Sequence, residues 1–357
     1  MNEKNVLIAM SGGVDSAVAA WLLQKDGYDV AGITMRLWSE SERLFDDLSD
    51  TSSDENIADA KKIADTLGIP HFSVALGESF YREVVSSFIS DYIAGRTPNP
   101  CVTCNKTIKF GKLFDIARER GFGKLATGHY ARIEKNASGR YLLKKALDEN
   151  KDQSYFLWSL SQDTLSSVLF PLGEYTKPEI REIAAQNGFI NAHRADSQDI
   201  CFIPNGDYVS FIEAQTDRAF PKGKFLDTAG NPLGEHHGLI RYTVGQRKGL
   251  GIALGQPMFV KEKNALANTV TLSTNEELFS SELTASSVNL IACDAISSPI
   301  RVQAKIRYRH TPAMATVEQI APDRLSVRFD TPQRAIAKGQ SLVLYDGDTV
   351  VGGGIID

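Results

Sequence analysis

The chain has 357 residues, 42% of them hydrophobic and 23% charged, with a formal net charge of −5. That is more chain than one ordinary core fills, so two or three domains are expected, and the balance excludes a disordered or fibrous protein. Four cysteines in this length make no disulfide framework and point to a reducing cytoplasm, while the net charge argues mildly against nucleic acid if taken alone. Met1-Asn2-Glu3-Lys4-Asn5 leads into only five apolar residues, too few for a signal peptide or a membrane span, so no membrane partner is expected.

Val6–Met10 reads as a buried strand and Ala17–Lys25 as a helix whose inward face carries Ala17, Ala20, Trp21 and Leu23. Between them lies Ser11-Gly12-Gly13-Val14-Asp15-Ser16. A strand, a glycine turn and a helix aim backbone N–H groups at an anion, and the helix start adds about half a positive charge. Gly12 and Gly13 allow positive φ and close approach, and the Ser11 and Ser16 hydroxyls can donate to phosphate oxygens. The loop lacks the Gly-Lys-Ser/Thr ending of a Walker A motif and is not Gly-x-Gly-x-x-Gly. A plain strand-to-helix turn is the alternative, and the two glycines with two hydroxyls favour a phosphate site.

Asp29–Met35 is a second strand, ending beside that loop at the carboxyl edge of the sheet, where open α/β folds bind ligands. Residues 39–55 form an acidic loop to which no chemistry is assigned. Ala58–Leu67 is a helix closed by Gly68, Pro70–Leu76 a third strand and Phe80–Ala94 a helix with an apolar stripe. In Thr97-Pro98-Asn99-Pro100-Cys101-Val102-Thr103-Cys104-Asn105-Lys106 the two prolines predict an irregular loop presenting the cysteines. Helix Phe110–Arg120 leads to strand Lys124–Thr127, then to Gly128-His129-Tyr130 at the sheet edge. This βα rhythm predicts an α/β domain with a doubly wound parallel sheet.

Arg140–Lys144 looks like an extra strand, Lys151-Asp152-Gln153-Ser154 precedes an aromatic helix, and Glu179–Gln186 is a helix with Pro178 at its start. Cys201 falls in a loop leading into a short strand. Beyond about residue 205 the rhythm stops. Residues 206–273 are rich in Gly, Lys and β-type runs, including Gly245-Gln246-Arg247-Lys248-Gly249, and from about 274 the chain becomes all-β. Val302, Ala304, Ile306 and Tyr308 alternate with polar residues, as do Leu325, Val327 and Phe329, and Asp346-Gly347 is a hairpin signal. A small antiparallel barrel is the natural closure. The expected domains are therefore 1–205, 206–273 and 274–357.

Cys101-x-x-Cys104 with Cys201 admits several readings: unrelated thiols, a structural zinc site lacking a fourth ligand, or a nucleophilic, sulfur-carrying pair. The last is preferred. An ordinary thiol is only a few per cent ionised at neutral pH, so a reactive one needs a cation or a helix start, which Lys106, Lys109 or the helix near Phe110 can supply to Cys104.

Ser11–Ser16 resembles the pyrophosphate-binding loop of the N-type ATP pyrophosphatases. Together with Thr97-Pro-Asn-Pro100, Cys104-Asn-Lys106, Ala126-Thr-Gly-His-Tyr130, Lys151-Asp-Gln-Ser-Tyr-Phe156, Asp196-Ser197 with Ile200-Cys-Phe202, Gly245-Gln-Arg-Lys-Gly-Leu250 and Gly352-Gly-Gly-Ile355, it resembles the bacterial tRNA-specific 2-thiouridylase family from the first strand to the last residues. That resemblance implies an ATP-dependent sulfurtransferase that adenylates the wobble uridine of tRNA and replaces its C2 oxygen with sulfur. By position, Cys104 is the nucleophile, Cys201 bears the persulfide, and a transient Cys104–Cys201 disulfide ends the cycle. Ala9, Met10, Ser11, Gly12, Gly13, Val14, Asp15, Ser16, Met35 and Gly128 bind ATP. Asn99, Pro100 and Cys101 face the target base, and His129, Lys151, Asp152, Gln153, Arg307, Tyr308 and Gln340 touch tRNA. ATP with Mg²⁺ is the expected cofactor set, a sulfur-relay protein or cysteine desulfurase the expected second partner, and a monomer the expected state.

Cys101 departs from the family pattern, which carries Asp there as the proton-handling residue. Cys101, Cys104 and Cys201 together are also a donor set for an iron–sulfur cluster with one open iron site, so cluster-dependent thiolation stays open as an alternative. From the loop alone an amide synthetase of the same superfamily is nearly as good, but amidation needs no thiol. A non-catalytic tRNA-binding protein predicts no pyrophosphate release. For RNA, Arg301, Lys305, Arg307 and Arg309 share strand parity and hence one expected face.

Overall fold

The computed structural model describes residues 4–37, 53–190, 200–203, 206–216 and 218–357. The chain divides into two compact units, Met1–Val84 with Cys101–Gly206 and Asp348–Val350, and Val85–Pro100 with Asp207–Gly347 and Val351–Asp357. Among the described residues no helix is long and apolar enough to cross a membrane.

The first unit holds strands β1 (Asn5–Ala9), β2 (Asp29–Arg36), β3 (His71–Ala75), β4 (Lys124–Ala126) and β7 (Val168–Leu169), with the hairpin β5 (Ala131–Lys135) and β6 (Tyr141–Lys145) between the last two. The parallel sheet runs β3-β2-β1-β4-β7. β1 is central, and Val6, Leu7 and Ile8 are fully buried, as expected of a strand covered on both faces. Strand order reverses at β1, since β2 lies on one side and β4 on the other. The loops after β1 and β4 therefore part at the carboxyl edge, the crevice where such sheets take ligands. This is the doubly wound α/β sheet expected from the sequence.

Helix α1 (Val14–Lys25) is buried nearly all round, at Val14, Ser16 to Ala20, Leu22 and Leu23. The single inward face read from the sequence is too narrow, because α1 packs against the sheet and also near α2 (Ser53–Leu67) and the helix Lys177–Gln186, sharing one core with Ala60, Ile63, Ile180 and Ala184. Of the predicted acidic loop, residues 39–52 lie outside the described residues, and Asp54 and Glu55 belong to α2.

Three local expectations need correction. Pro100 does not break a helix: it opens one, Pro100–Cys104, which continues through Asn105–Lys112 to Leu113–Glu119. A proline at the first helical position has no N–H to lose there and already holds helical φ, so both cysteines sit on a helix. The aromatic helix after Ser154 shrinks to a 3₁₀ turn, Ser154–Phe156, and Cys201 stands in a turn with no strand following it in residues 201–203.

The second unit contains a four-stranded sheet, β10 (Phe259–Asn264), β11 (Thr269–Ser273), β8 (Gly223–Leu226) and β9 (Pro232–His236) in that order, over Phe225, Val260, Val270 and Leu272. The C-terminal strands β12 (Phe279–Leu290), β13 (Ile300–Lys305), β14 (Ala313–Ala321), β15 (Arg324–Arg334), β16 (Ser341–Asp346) and β17 (Thr349–Ile356) form the expected antiparallel barrel. It runs β12-β15-β14-β13-β16-β17 and closes when β17 pairs with β12. Its interior alternates along each strand, with Val302 and Ala304 facing Leu325, Val327, Leu342 and Leu344. Gly347, at φ 59, turns the last hairpin where the Asp-Gly pair predicts it.

Candidate active site

The loop Ser11–Ser16 leaves β1 at the sheet edge and enters α1 at Val14. Gly12 takes φ 74, and a Cβ there would stand 2.9 Å from the Asn56 carbonyl, so the turn and the approach of α2 both demand glycine. Gly13 differs from expectation: it is the extended helix N-cap at φ −86, with no need of positive φ. The Ser16 hydroxyl donates to the Gly13 carbonyl at 3.0 Å and accepts the Ser11 N–H at 3.2 Å, and Ser11 Oγ accepts the Gly13 N–H at 3.4 Å. These hydroxyls shape the loop from within, so its turn is held by its own side chains. Behind it Gly128 comes so close that a Cβ would be 3.1 Å from the Asp15 carbonyl carbon and the Ser16 nitrogen. Beside it Thr34 Oγ1 donates to the Met10 carbonyl and accepts from His71 Nε2, both at 2.8 Å, tying the ends of β1 and β2 to β3.

Asp15 projects its carboxylate from this loop. Oδ1 accepts from Tyr130 Oη and from Lys177 Nζ, each at 2.7 Å, and Lys177 is buried with its ammonium 5.8 Å from the Tyr130 ring centre. Lys177 was not singled out in the sequence. Its position follows from a capping box, Thr176 with Glu179, that starts the helix Lys177–Gln186, and from its own N–H donating to Asp148 Oδ2 at 3.0 Å. A lysine just inside a Thr-x-x-Glu box was the available signal.

The thiols belong to the same unit as the loop. Cys101 and Cys201 are open to solvent and Cys104 is half-buried. Crowding by protein pushes Cys104 up to about 11, with the Lys109 ammonium pulling the other way and Cys101 adding to the rise. Although the Cys201 residue meets solvent, protein around its sulfur strips hydration and pushes it up to about 12, and Cys104 and Cys101 raise it further. Cys101 is raised by loss of hydration and lowered by Lys109. Cys104 thus feels Cys101, Cys201 feels both, and among the described residues Lys109 is the side-chain cation that acts on all three. Among the described residues no three His, Cys, Asp or Glu side chains converge as a metal-ligand set. As placed, the cysteines do not come together as the donor set an iron–sulfur cluster needs.

His129 is buried, with Nδ1 2.6 Å from Thr127 Oγ1 and Nε2 3.5 Å from Lys109 Nζ. Burial first, and Lys109 second, hold it well below its ordinary range, so it is neutral. Asp152 accepts from the Ala146 and Ser154 N–H groups, and Gln153 Oε1 accepts the Tyr130 N–H at 3.0 Å. Both carry the turn that places Tyr130. In the second unit Gln340 Nε2 donates to the Thr97 and Pro98 carbonyls at 2.9 and 3.3 Å, holding the residues just before half-buried Asn99 and buried Pro100.

The four-cation strand face does not form. β13 ends at Lys305, Ile306 turns into the core, and Arg307 to His310 close a turn with the His310 N–H on the Arg307 carbonyl at 3.0 Å. Arg301 also spends its guanidinium fork on Asp330, at 2.7 and 2.6 Å. Arg307 donates to the Arg334 carbonyl at 3.1 Å, and Lys305 stands over the Tyr308 ring.

Fold and site define an α/β protein with a glycine turn at the carboxyl edge of its sheet, three cysteines in the same unit and a C-terminal β-barrel. Residues 4–205 match the family model described as tRNA methyl transferase HUP domain, 210–274 its PRC-barrel domain, and 280–356 an aminomethyltransferase beta-barrel domain. A tRNA-specific 2-thiouridylase of Clostridioides difficile is 48% identical over 100% of this chain and 99% of its own. Those of Treponema denticola and Caldanaerobacter subterraneus are each 48% identical, covering 99% of this chain and 97% and 98% of theirs. The chain belongs to the tRNA-specific 2-thiouridylase family.

Proposed function

We propose that this protein is an ATP-dependent tRNA-uridine 2-sulfurtransferase acting on the wobble uridine. The observation that carries this reading is the presence, in one unit, of a preshaped glycine loop at the sheet edge and of Cys101, Cys104 and Cys201, with Cys201 sensing both other thiols. The loop from Ala9 to Ser16, with Met35 and Gly128, holds ATP. The uridine O2 attacks the α-phosphorus, the bond to the β-phosphate breaks, and pyrophosphate leaves, so that a poor oxygen leaving group becomes AMP. The outer sulfur of a Cys201 persulfide, supplied by a cysteine desulfurase or a sulfur-relay protein, then attacks C2 and AMP departs. Cys104 thiolate attacks Sγ of Cys201, the sulfur–sulfur bond to the base breaks with its electron pair staying on the C2 sulfur, and a Cys104–Cys201 disulfide remains for an external thiol to reduce. Asn99, Pro100 and Cys101 approach the base, and His129, Lys151, Asp152, Gln153, Arg307, Tyr308 and Gln340 serve the tRNA, several of them by shaping the turns described above. Mg²⁺ accompanies ATP and supplies charge neutralisation on its phosphates.

The test is incubation with ATP, a persulfide donor and unmodified tRNA, then mass analysis of the nucleosides. Expected are 2-thiouridine from the native chain and, from Cys201→Ala, pyrophosphate release without it. A methylated nucleoside, as the wording of the family models would suggest, or thiolation by Cys201→Ala, overturns the reading.

A further inference from the structure

We propose that Lys109 is the residue that activates Cys104, and that His129 is a positioning residue holding the Lys109 ammonium on the thiol side of its helix. The inference rests on the thiolation reading only for what Cys104 attacks.

The helix type carries the geometry. Residues Asn105–Lys112 are π-helical, and the Leu113 N–H closes on the Ile108 carbonyl five residues back. In an α-helix the residue five positions after Cys104 has rotated well off its face. Where hydrogen bonds run from i to i+5 that residue stands roughly one turn above it, and such stretches are rare and concentrated at functional sites. Lys109 is that residue. Lys106, in the same π-helical stretch, is exposed, whereas Lys109 is half-buried.

The other end of Lys109 is held by His129. An ammonium can only donate, so His129 Nε2, 3.5 Å away, is an acceptor and the ring proton is on Nδ1, donating to Thr127 Oγ1 at 2.6 Å. The ring is packed by Phe110 and Phe170, with centres 5.8 and 5.9 Å away. Burial keeps it neutral, so it accepts from Lys109 without repelling it. Among the described residues the charged and titratable groups around Cys104 are Lys109, Cys101 and Cys201, with Lys109 as the cation. Facing Lys109 are those thiols and His129. Burial of His129 also makes it a poor direct contact for RNA, so a role through Lys109 fits its place better.

The experiment measures alkylation of Cys104 by iodoacetamide against pH, read by peptide mass analysis without ATP or tRNA. Lys109→Met should move the midpoint up by about one unit, slowing alkylation about tenfold at a fixed pH below it. Lys109→Arg should restore most of the rate, and His129→Phe, which keeps the ring packing and removes the acceptor, should give a smaller shift in the same direction. An unchanged profile in folded Lys109→Met overturns the proposal, as does a His129→Phe profile that matches the native one. Should either variant misfold, nitrogen NMR of the native chain still decides: His129 should stay the Nδ1–H tautomer from about pH 5 to 8, the span in which ordinary imidazole titrates. A titrating His129 overturns it. Because these readouts contain neither nucleotide nor tRNA, failure of the thiolation assay with intact alkylation shifts would count against the function and leave the Lys109 assignment standing.

Discussion

On the proposed function, Asp15 puts a carboxylate into a loop that attracts phosphate, which costs affinity unless its charge is covered. Lys177 and Tyr130 cover it through the same oxygen. Removing the ammonium leaves a half-buried carboxylate facing the incoming triphosphate. Lys177→Met should therefore raise KM for ATP about tenfold and cost about 2 kcal/mol, below the usual toll for breaking a fully buried pair because Asp15 is still partly hydrated. Steady-state pyrophosphate release and thermal melting check both. Adding Asp15→Asn should recover part of the lost stability, since no lone charge then remains. Asp15 was legible in the chain because it sits in a local motif. Lys177 was not, because its partner lies 162 residues away.

For the elements, backbone geometry decides what side chains can do. Gly12→Ala would place a Cβ at positive φ and against the Asn56 carbonyl, a strain of about 1–2 kcal/mol plus a displaced α2. The expected result is a folded chain with ATP binding reduced by tenfold or more in equilibrium titration; unchanged affinity would mean that the loop does not hold the nucleotide. The helix Pro100–Cys104 makes the converse point. Pro98 and Pro100 look alike in a list of helix breakers, yet only their place relative to the first turn matters, and Pro100 occupies the one position where proline is harmless. The π-helical stretch that follows has no compositional signature, so the alignment of Lys109 with Cys104 could not be read from spacing.

Across the whole molecule, the proposed function asks a chain of net −5 to bind RNA through local cations. Arg301 is committed to Asp330 through both ends of its guanidinium fork, whereas Arg307 stands in the turn after β13 and donates to the Arg334 carbonyl. Arg307→Ala should weaken tRNA binding and lower the slope of log affinity against log salt by about one, with ATP affinity unaltered. Arg301→Ala should change the slope little. Filter binding across salt concentrations separates the two, and equal effects would place the RNA along β13 after all.

The chain alone determined the doubly wound sheet, the glycine turn between β1 and α1, and the closing β-barrel. Each of these depends on short-range order: apolar runs bounded by glycine, alternation along a strand, or a fixed motif. Tertiary structure decided which charges meet. Lys177 reaches Asp15, Lys109 is held by His129, Arg301 is lost to Asp330, and the expected cationic face ends at Lys305. Electrostatic partners are set by distances across the fold, and those depend on how helices pack and where strands turn, which no local pattern encodes.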